Sequence, residues 1–112
     1  MKNSLGYIQD MLEHISYIKD FLFDVSEEEL SKNKEKEFAI IRSFEVIGEA
    51  GKKVDKHLKL KYPGIPWRKM AGFRDILIHD YDRVITEILW ITATKELPPL
   101  KAQLLQIIED ES

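Results

Sequence analysis

Apolar residues recur every three or four positions through most of this chain. Leu5, Ile8, Leu12, Ile15, Ile18, Leu22 and Val25 form one stripe, which predicts a long first helix. Ser26-Glu27-Glu28-Glu29 has the spacing of a capping box, so a brief helical restart is expected there, before a polar loop over residues 31–35. A second long helix is expected over residues 36–61, with Ile40, Ile41, Phe44, Ile47, Val54 and Leu58 on its buried face. Tyr62-Pro63-Gly64-Ile65-Pro66 ends it, and Pro66 suits the first turn of a third helix over residues 67–79. A fourth helix follows over residues 84–95. Pro98-Pro99 should then break the chain and open a short last helix over residues 100–109.

No window alternates apolar and polar residues for long enough to make a strand. The expected fold is therefore all-α, a bundle of four main helices plus a short C-terminal helix, forming one domain over residues 1–112. Gly48 and Gly51 interrupt the second helix, each at a cost of roughly 1 kcal/mol against alanine. Close approach of another helix backbone is the simplest reason to bear that cost. The aromatics Phe21, Phe23, Phe38, Phe44, Phe73 and Trp90 read as core or interface. Trp67 reads as packing at a helix start, with a base-stacking platform as the functional alternative.

Composition narrows the function classes. Hydrophobic residues make up 44% and charged residues 33% of 112 residues, an ordinary globular balance. No apolar run is long enough to span a membrane, and Met1-Lys2-Asn3-Ser4 does not resemble a signal peptide, so no membrane association is expected. Cysteine is absent, which removes disulfides and thiolate metal sites and fits a cytoplasmic location. The net charge of −3 argues against a polyanion partner until its distribution is considered. Residues 52–74 hold eight basic residues and one acid, leaving nine basic and 19 acidic residues elsewhere. A basic segment of this kind is the footprint of a nucleic-acid site, with Lys61, Arg68 and Lys69 as RNA-binding candidates. Its plainer reading is a set of lysines that offset a helix dipole.

That segment leads into Arg74-Asp75-Ile76-Leu77-Ile78-His79-Asp80-Tyr81. An arginine can hold a phosphate through paired hydrogen bonds and stabilise charge as it builds. A histidine can move a proton near neutral pH. These are the two groups that metal-free phosphodiester cleavage needs. On a helix, Asp75 and His79 share a face, whereas Arg74 stands well apart in angle and Tyr81 points nearly opposite His79. One site therefore requires the helix to end near His79 or Asp80, or a second copy of the chain to supply the missing group. Asp80 and Asp82 are N-cap candidates for the next helix. His14 and His57 lack comparable neighbours and read as surface residues.

Two other chemistries compete for the same residues. Asp75, His79, Asp80 and Asp82 offer metal-ligand atoms, and His79-Asp80 resembles the metal-binding pair of the HD phosphohydrolases. The second histidine motif of that family is missing, and no metal is expected. A phosphotransfer module would present one exposed histidine on a small bundle, but the acids after His79 would repel an incoming phosphoryl group.

Arg-x4-His-x-Tyr, together with Ile47-Gly48-Glu49-Ala50, Ile65-Pro66-Trp67-Arg68-Lys69-Met70-Ala71-Gly72 and Leu97-Pro98-Pro99-Leu100, resembles the HepT-like toxins among the HEPN ribonucleases. The resemblance covers most of the chain. It implies an all-α HEPN-type bundle that forms a homodimer with the two motifs facing each other. It implies a metal-independent endoribonuclease toxin without a cofactor, acting on tRNA or mRNA. Arg74 and His79 fall on the catalytic positions, and Asp75 on the polar position after the arginine, where it could orient His79. Tyr81 falls on the tyrosine that a partner MNT-type nucleotidyltransferase antitoxin modifies with AMP. The implied chemistry is attack by a ribose 2′-hydroxyl on the adjacent phosphate, with a histidine from each subunit. The competing class is a non-catalytic helical partner that regulates a nucleotidyltransferase.

Overall fold

A computed structural model describes residues 3–80 and 86–112 of the chain, all helical apart from short connections, with no strand among the described residues. α1 spans Ser4–Phe21 and starts where the Asn3 side chain accepts a 2.8 Å hydrogen bond from the Gly6 N–H. It ends as the chain turns through Asp24, whose φ of 55° lies in the left-handed region. α2, Glu27–Ser31, carries the expected capping box: the Ser26 hydroxyl accepts from the Glu29 N–H, and the Glu29 carboxylate accepts from the Ser26 N–H, both at 3.1 Å.

α3 spans Lys34–Lys53 and stops eight residues short of the expected end. Val54 is extended, and Asp55 caps a separate short helix, α4, Lys56–Lys61, accepting from the Leu58 N–H at 2.9 Å. The apolar rhythm hid this break because Val54 and Leu58 are buried on both sides of it. Ser4 fixes the corner: its hydroxyl donates to the Asp55 carboxylate at 2.8 Å and accepts from the Asp55 N–H at 2.9 Å. These bonds hold the Asp55 carboxyl below its usual range, the backbone bond from Leu58 first.

α5 spans Trp67–His79, within the expected bounds, with Pro66 immediately before its first turn. Trp67 belongs to that start, since its indole N–H donates to the Tyr62 carbonyl at 3.1 Å. The largest departure from the sequence reading follows. α6, Thr86–Ile91, a π-helical turn, Thr92–Glu96, and α7, Leu97–Glu111, run on without a gap. Pro98 and Pro99 therefore do not break the chain, and the C-terminal helix is long. Both prolines sit in the first turn of α7. The wider turn before them carries the change: the Leu97 N–H reaches back five residues to the Thr92 carbonyl. Thr92 and Thr94 hydroxyls donate at 2.7 Å to the Ile88 and Trp90 carbonyls, giving partners to groups in the distorted turn.

α3 is the centre of the bundle, packed by α1 on one side and α5 on another, with α7 closing against α1. Ile8, Met11, Ile18, Ile40, Leu77, Leu89, Leu104 and Ile107 are fully enclosed in one core. Phe44 and Phe73 meet edge to face at 5.2 Å across the α3–α5 contact. Phe23 and Phe38, also expected in core or interface, are exposed. His14 is not a free surface residue. It is half-buried against α3, with Nδ1 3.4 Å from the Ser43 hydroxyl, and burial lowers its pKa.

The two glycines of α3 have different reasons. A Cβ on Gly48 would lie 2.3 Å from the Arg74 Cβ and 3.0 Å from the Met70 carbonyl oxygen. Gly48 is thus required by close approach of the α5 backbone. Among the described residues, a Cβ on Gly51 would meet the flexible ends of Met11 and Met70, at 3.5 and 3.7 Å. Gly48→Ala should destabilise the protein by about 1–3 kcal/mol, as overpacking does. Gly51→Ala should be neutral or stabilise it by up to about 1 kcal/mol, because alanine favours the helix and the space exists. Urea unfolding of the two variants checks this, and equal effects would count against the α3–α5 contact described here.

Candidate functional site

α5 carries three kinds of residue around its circumference. Leu77 points into the core. Arg68, Gly72, Asp75 and His79, spaced four, three and four apart, are all exposed and form the outward face. Arg74 and Ile76 lie at the two edges, each beside a groove.

Arg74 turns towards α3 rather than towards His79. Its side chain is only 22% exposed, and the missing side chain at Gly48 makes room for it. One end of the guanidinium donates to the Glu49 carboxylate at 2.7 Å, and the other donates to Asp75 at 3.0 Å. Its Nε is enclosed and has no hydrogen-bond partner among the described residues. Glu49 also lies 3.6 Å from the Lys53 ammonium, and Asp75 3.8 Å from that of Lys52. The result is a chain of alternating charges, Lys53–Glu49–Arg74–Asp75–Lys52, with three cations and two anions. The Arg74 hydrogen bond, then the charges of Lys52, Arg74 and His79, hold the Asp75 carboxyl below the usual carboxylate range.

His79 is the last residue of α5, and Asp80 caps the helix, its N–H donating to the Ile76 carbonyl at 2.8 Å. The helix thus ends where the motif requires. The imidazole is exposed, one turn beyond Asp75. Asp75 accepts a hydrogen bond from Arg74, and the nearby His79 charge helps to hold the Asp75 carboxyl down. A single chain therefore displays Arg74 and His79 on different sides of one helix. Tyr81 and Asp82 lie outside the described residues. Among the described residues, no three His, Asp or Glu side chains gather as a metal site.

The basic segment is more stapled than its composition suggests. Lys61 pairs with Glu111 at 2.6 Å, and the Tyr62 hydroxyl donates to the same carboxylate at 2.8 Å. These contacts tie α4 to the end of α7. Lys61 and Tyr62 hold the Glu111 carboxyl down, and burial with the two nearby carboxylates pushes the Tyr62 phenol up. Lys69 pairs with Glu96 in the π turn. Of the three RNA-binding candidates, Arg68 stands on the outward face with Asp75 and His79. Lys61 and Lys69 are held in ion pairs with α7 and the turn before it.

A groove flanks α5 on each side. The first, of about 640 Å³, lies between α5 and the α6–α7 helix, is mainly apolar and is walled by Phe73, Ile76, Ile88 and Leu97. The second, of about 420 Å³, is mixed polar and apolar and includes Tyr7, Asp10, Arg42, Glu49, Lys53 and Arg74. Sequence reading missed Glu49 as the partner of Arg74. The available signal was a glycine in a helix interior followed at once by an acid, which marks a close crossing with a charge beside it.

Residues 11–107 match the family described as ribonuclease HepT-like. A candidate RNase of Methanocaldococcus jannaschii is 42% identical over 105 residues, covering 94% of this chain and 90% of that protein. A candidate ribonuclease HepT of Thermococcus cleftensis is 40% identical, covering 87% of this chain and 88% of its own. A candidate RNase of Caldanaerobacter subterraneus is 35% identical over 111 residues and 99% of both chains. No solved structure matches the chain.

The charge chain makes a prediction that needs no assay of function. Asp75 should titrate below an ordinary aspartate in carboxyl-carbon NMR. Arg74→Ala should raise its pKa more than Lys52→Ala does, because the hydrogen bond outweighs the longer charge contact. An Asp75 that titrates alike in all three proteins would exclude this arrangement.

Proposed function

Because this chain is a member of the ribonuclease HepT-like family, we propose that it is a metal-independent endoribonuclease toxin of a HEPN/MNT-type pair, with Arg74 and His79 as its catalytic residues. The observation that carries the reading is Arg74, seated on Gly48 at one edge of the helix whose last residue is the exposed His79. The substrate is tRNA or mRNA. Its phosphates lie along the outward face of α5, where Arg68 adds charge, and Lys69 and Lys61 contribute where they can exchange their carboxylates for phosphate.

The active species is a homodimer. Arg74 and His79 diverge in one copy, and one histidine cannot act as base and acid in the same step. His79 of one protomer takes the proton from the ribose 2′-hydroxyl, whose oxygen attacks the adjacent phosphorus. Arg74 stabilises the charge on the non-bridging oxygens. The bond to the 5′-oxygen breaks, and the partner's His79 gives that oxygen a proton. The products are a 2′,3′-cyclic phosphate and a 5′-hydroxyl, with no metal and no cofactor. Gly72 supports a dimer along this face: among the described residues a Cβ there would meet nothing within 4 Å, so none of them requires the glycine. Ile76 and Ile78, 50% and 39% exposed, flank the face with apolar surface.

Tyr81, two residues beyond His79, is the proposed site of AMP addition by an MNT-type nucleotidyltransferase antitoxin. An added nucleotide would bring bulk and negative charge to the groove that RNA must enter. The two carboxylates already on Arg74 favour the second reading, a regulatory partner of a nucleotidyltransferase that cuts nothing. The purified chain distinguishes them by whether it cleaves RNA.

Cleavage should persist in EDTA, and the active species should have twice the 13.2 kDa chain mass in light scattering. His79→Ala and Arg74→Ala should each lower the rate about 10²–10⁴-fold while staying folded. Loss of cleavage in EDTA, restored by a divalent ion, would replace this mechanism with a metal-assisted one.

Tyr81→Phe should fold and keep most of its activity, because the phenol has no part in the proton transfers. Incubated with a cognate nucleotidyltransferase and ATP, the wild type should gain AMP in intact-mass spectrometry and the variant should not. Equal labelling of both would remove Tyr81 from regulation.

A further inference from the structure

The resting position of Arg74 depends on a carboxylate from another helix. Asp75 is its neighbour in sequence and moves with α5. Glu49 belongs to α3, the helix at the centre of the bundle, and reaches Arg74 at 2.7 Å. Gly48, directly before it, fixes how deeply the Arg74 stem can sit. Resting on the ribonuclease reading for the role of Arg74, we propose that Glu49 is a positioning residue, which with Gly48 forms a socket that fixes the guanidinium so its free N–H groups face the RNA phosphate.

Three features support positioning over simple neutralisation. An arginine side chain has many rotamers, and an unrestrained one must be ordered each time substrate binds. The socket orders it beforehand, which is the condition for stabilising charge without rearrangement. Secondly, Glu49 does not cancel Arg74 outright, because Lys53 stands 3.6 Å from its second oxygen and shares the negative charge. Lastly, the enclosed Nε turns that edge of the guanidinium inward. Of its five N–H groups, two then hold Glu49 and Asp75, the Nε–H is enclosed, and two remain on the terminal nitrogens.

Glu49 is 42% exposed, so Glu49→Gln should fold while losing the charge at nearly constant shape. In the full-length protein it should lower kcat on RNA about 10- to 100-fold. KM should change little, the pH profile should keep its shape, and Glu49→Asp should recover part of the loss. Glu49→Gln combined with Arg74→Ala should be no slower than Arg74→Ala alone, whereas a purely structural role would add its own loss. Wild-type or faster cleavage by Glu49→Gln would overturn the proposal, as would an altered acid limb of the pH profile, which would make Glu49 a proton carrier. Arginine side-chain NMR provides an arm that does not use RNA. The wild type should show hindered rotation of the Arg74 guanidinium, and Glu49→Gln should release it. If the wild type cuts no RNA but Glu49→Gln shows that release, the ribonuclease reading fails and the socket stands. Unchanged Arg74 signals in Glu49→Gln would remove the socket whatever the activity.

Discussion

α5 can lie against α3 at this distance because residue 48 has no side chain. With 2.3 Å between a hypothetical Cβ there and the Arg74 Cβ, any larger residue must push the helices apart. That contact determines more than packing. It brings Phe73 onto Phe44, encloses Leu77, and leaves Arg74 at an edge where its stem is covered and its terminal nitrogens reach Glu49 and Asp75. Gly51, one turn later on the same helix, has no such duty. The comparison separates a glycine that a helix crossing requires from one that it merely accommodates.

The electrostatics follow from the same arrangement. The basic stretch before the motif reads as a polyanion surface, yet the fold spends much of it on internal pairs. Lys61 holds the end of α7 and Lys69 holds the π turn. Lys52 and Lys53 complete the charge chain through Arg74. Exposed ion pairs contribute little to stability, commonly below about 1 kcal/mol each, so they can be exchanged for phosphate at small cost. An arginine held by carboxylates at rest is ordered in advance. Any anion that reaches Arg74 must compete with the carboxylates already in place.

The divided character of α5 gives the family assignment a physical meaning. Arg74 belongs to the inner edge and His79 to the open end, so the two parts of the motif meet different environments. One is fixed by the core, and the other is presented to whatever binds outside. The side chain at the inner edge is held by ion pairs, and the one at the open end is accessible from outside.

Much of this was legible in the chain itself. Periodicity determined the all-α class, the capping box at Ser26 and Glu29, and the bounds of α5, because each is a local property of side chains a turn apart. The motif residues could be named as candidates from their chemistry and their resemblance to the family. The sequence could not show that Asp55 would be drawn to Ser4, 51 positions away, and so divide an apparently continuous helix. Nor could it show that a π turn would carry the last helix through Pro98 and Pro99, since proline is a strong stop only while the turns before it stay regular. Glu49 became the partner of Arg74 only through the crossing angle of two helices. Such angles are set by how whole faces interlock, and no local pattern contains that information.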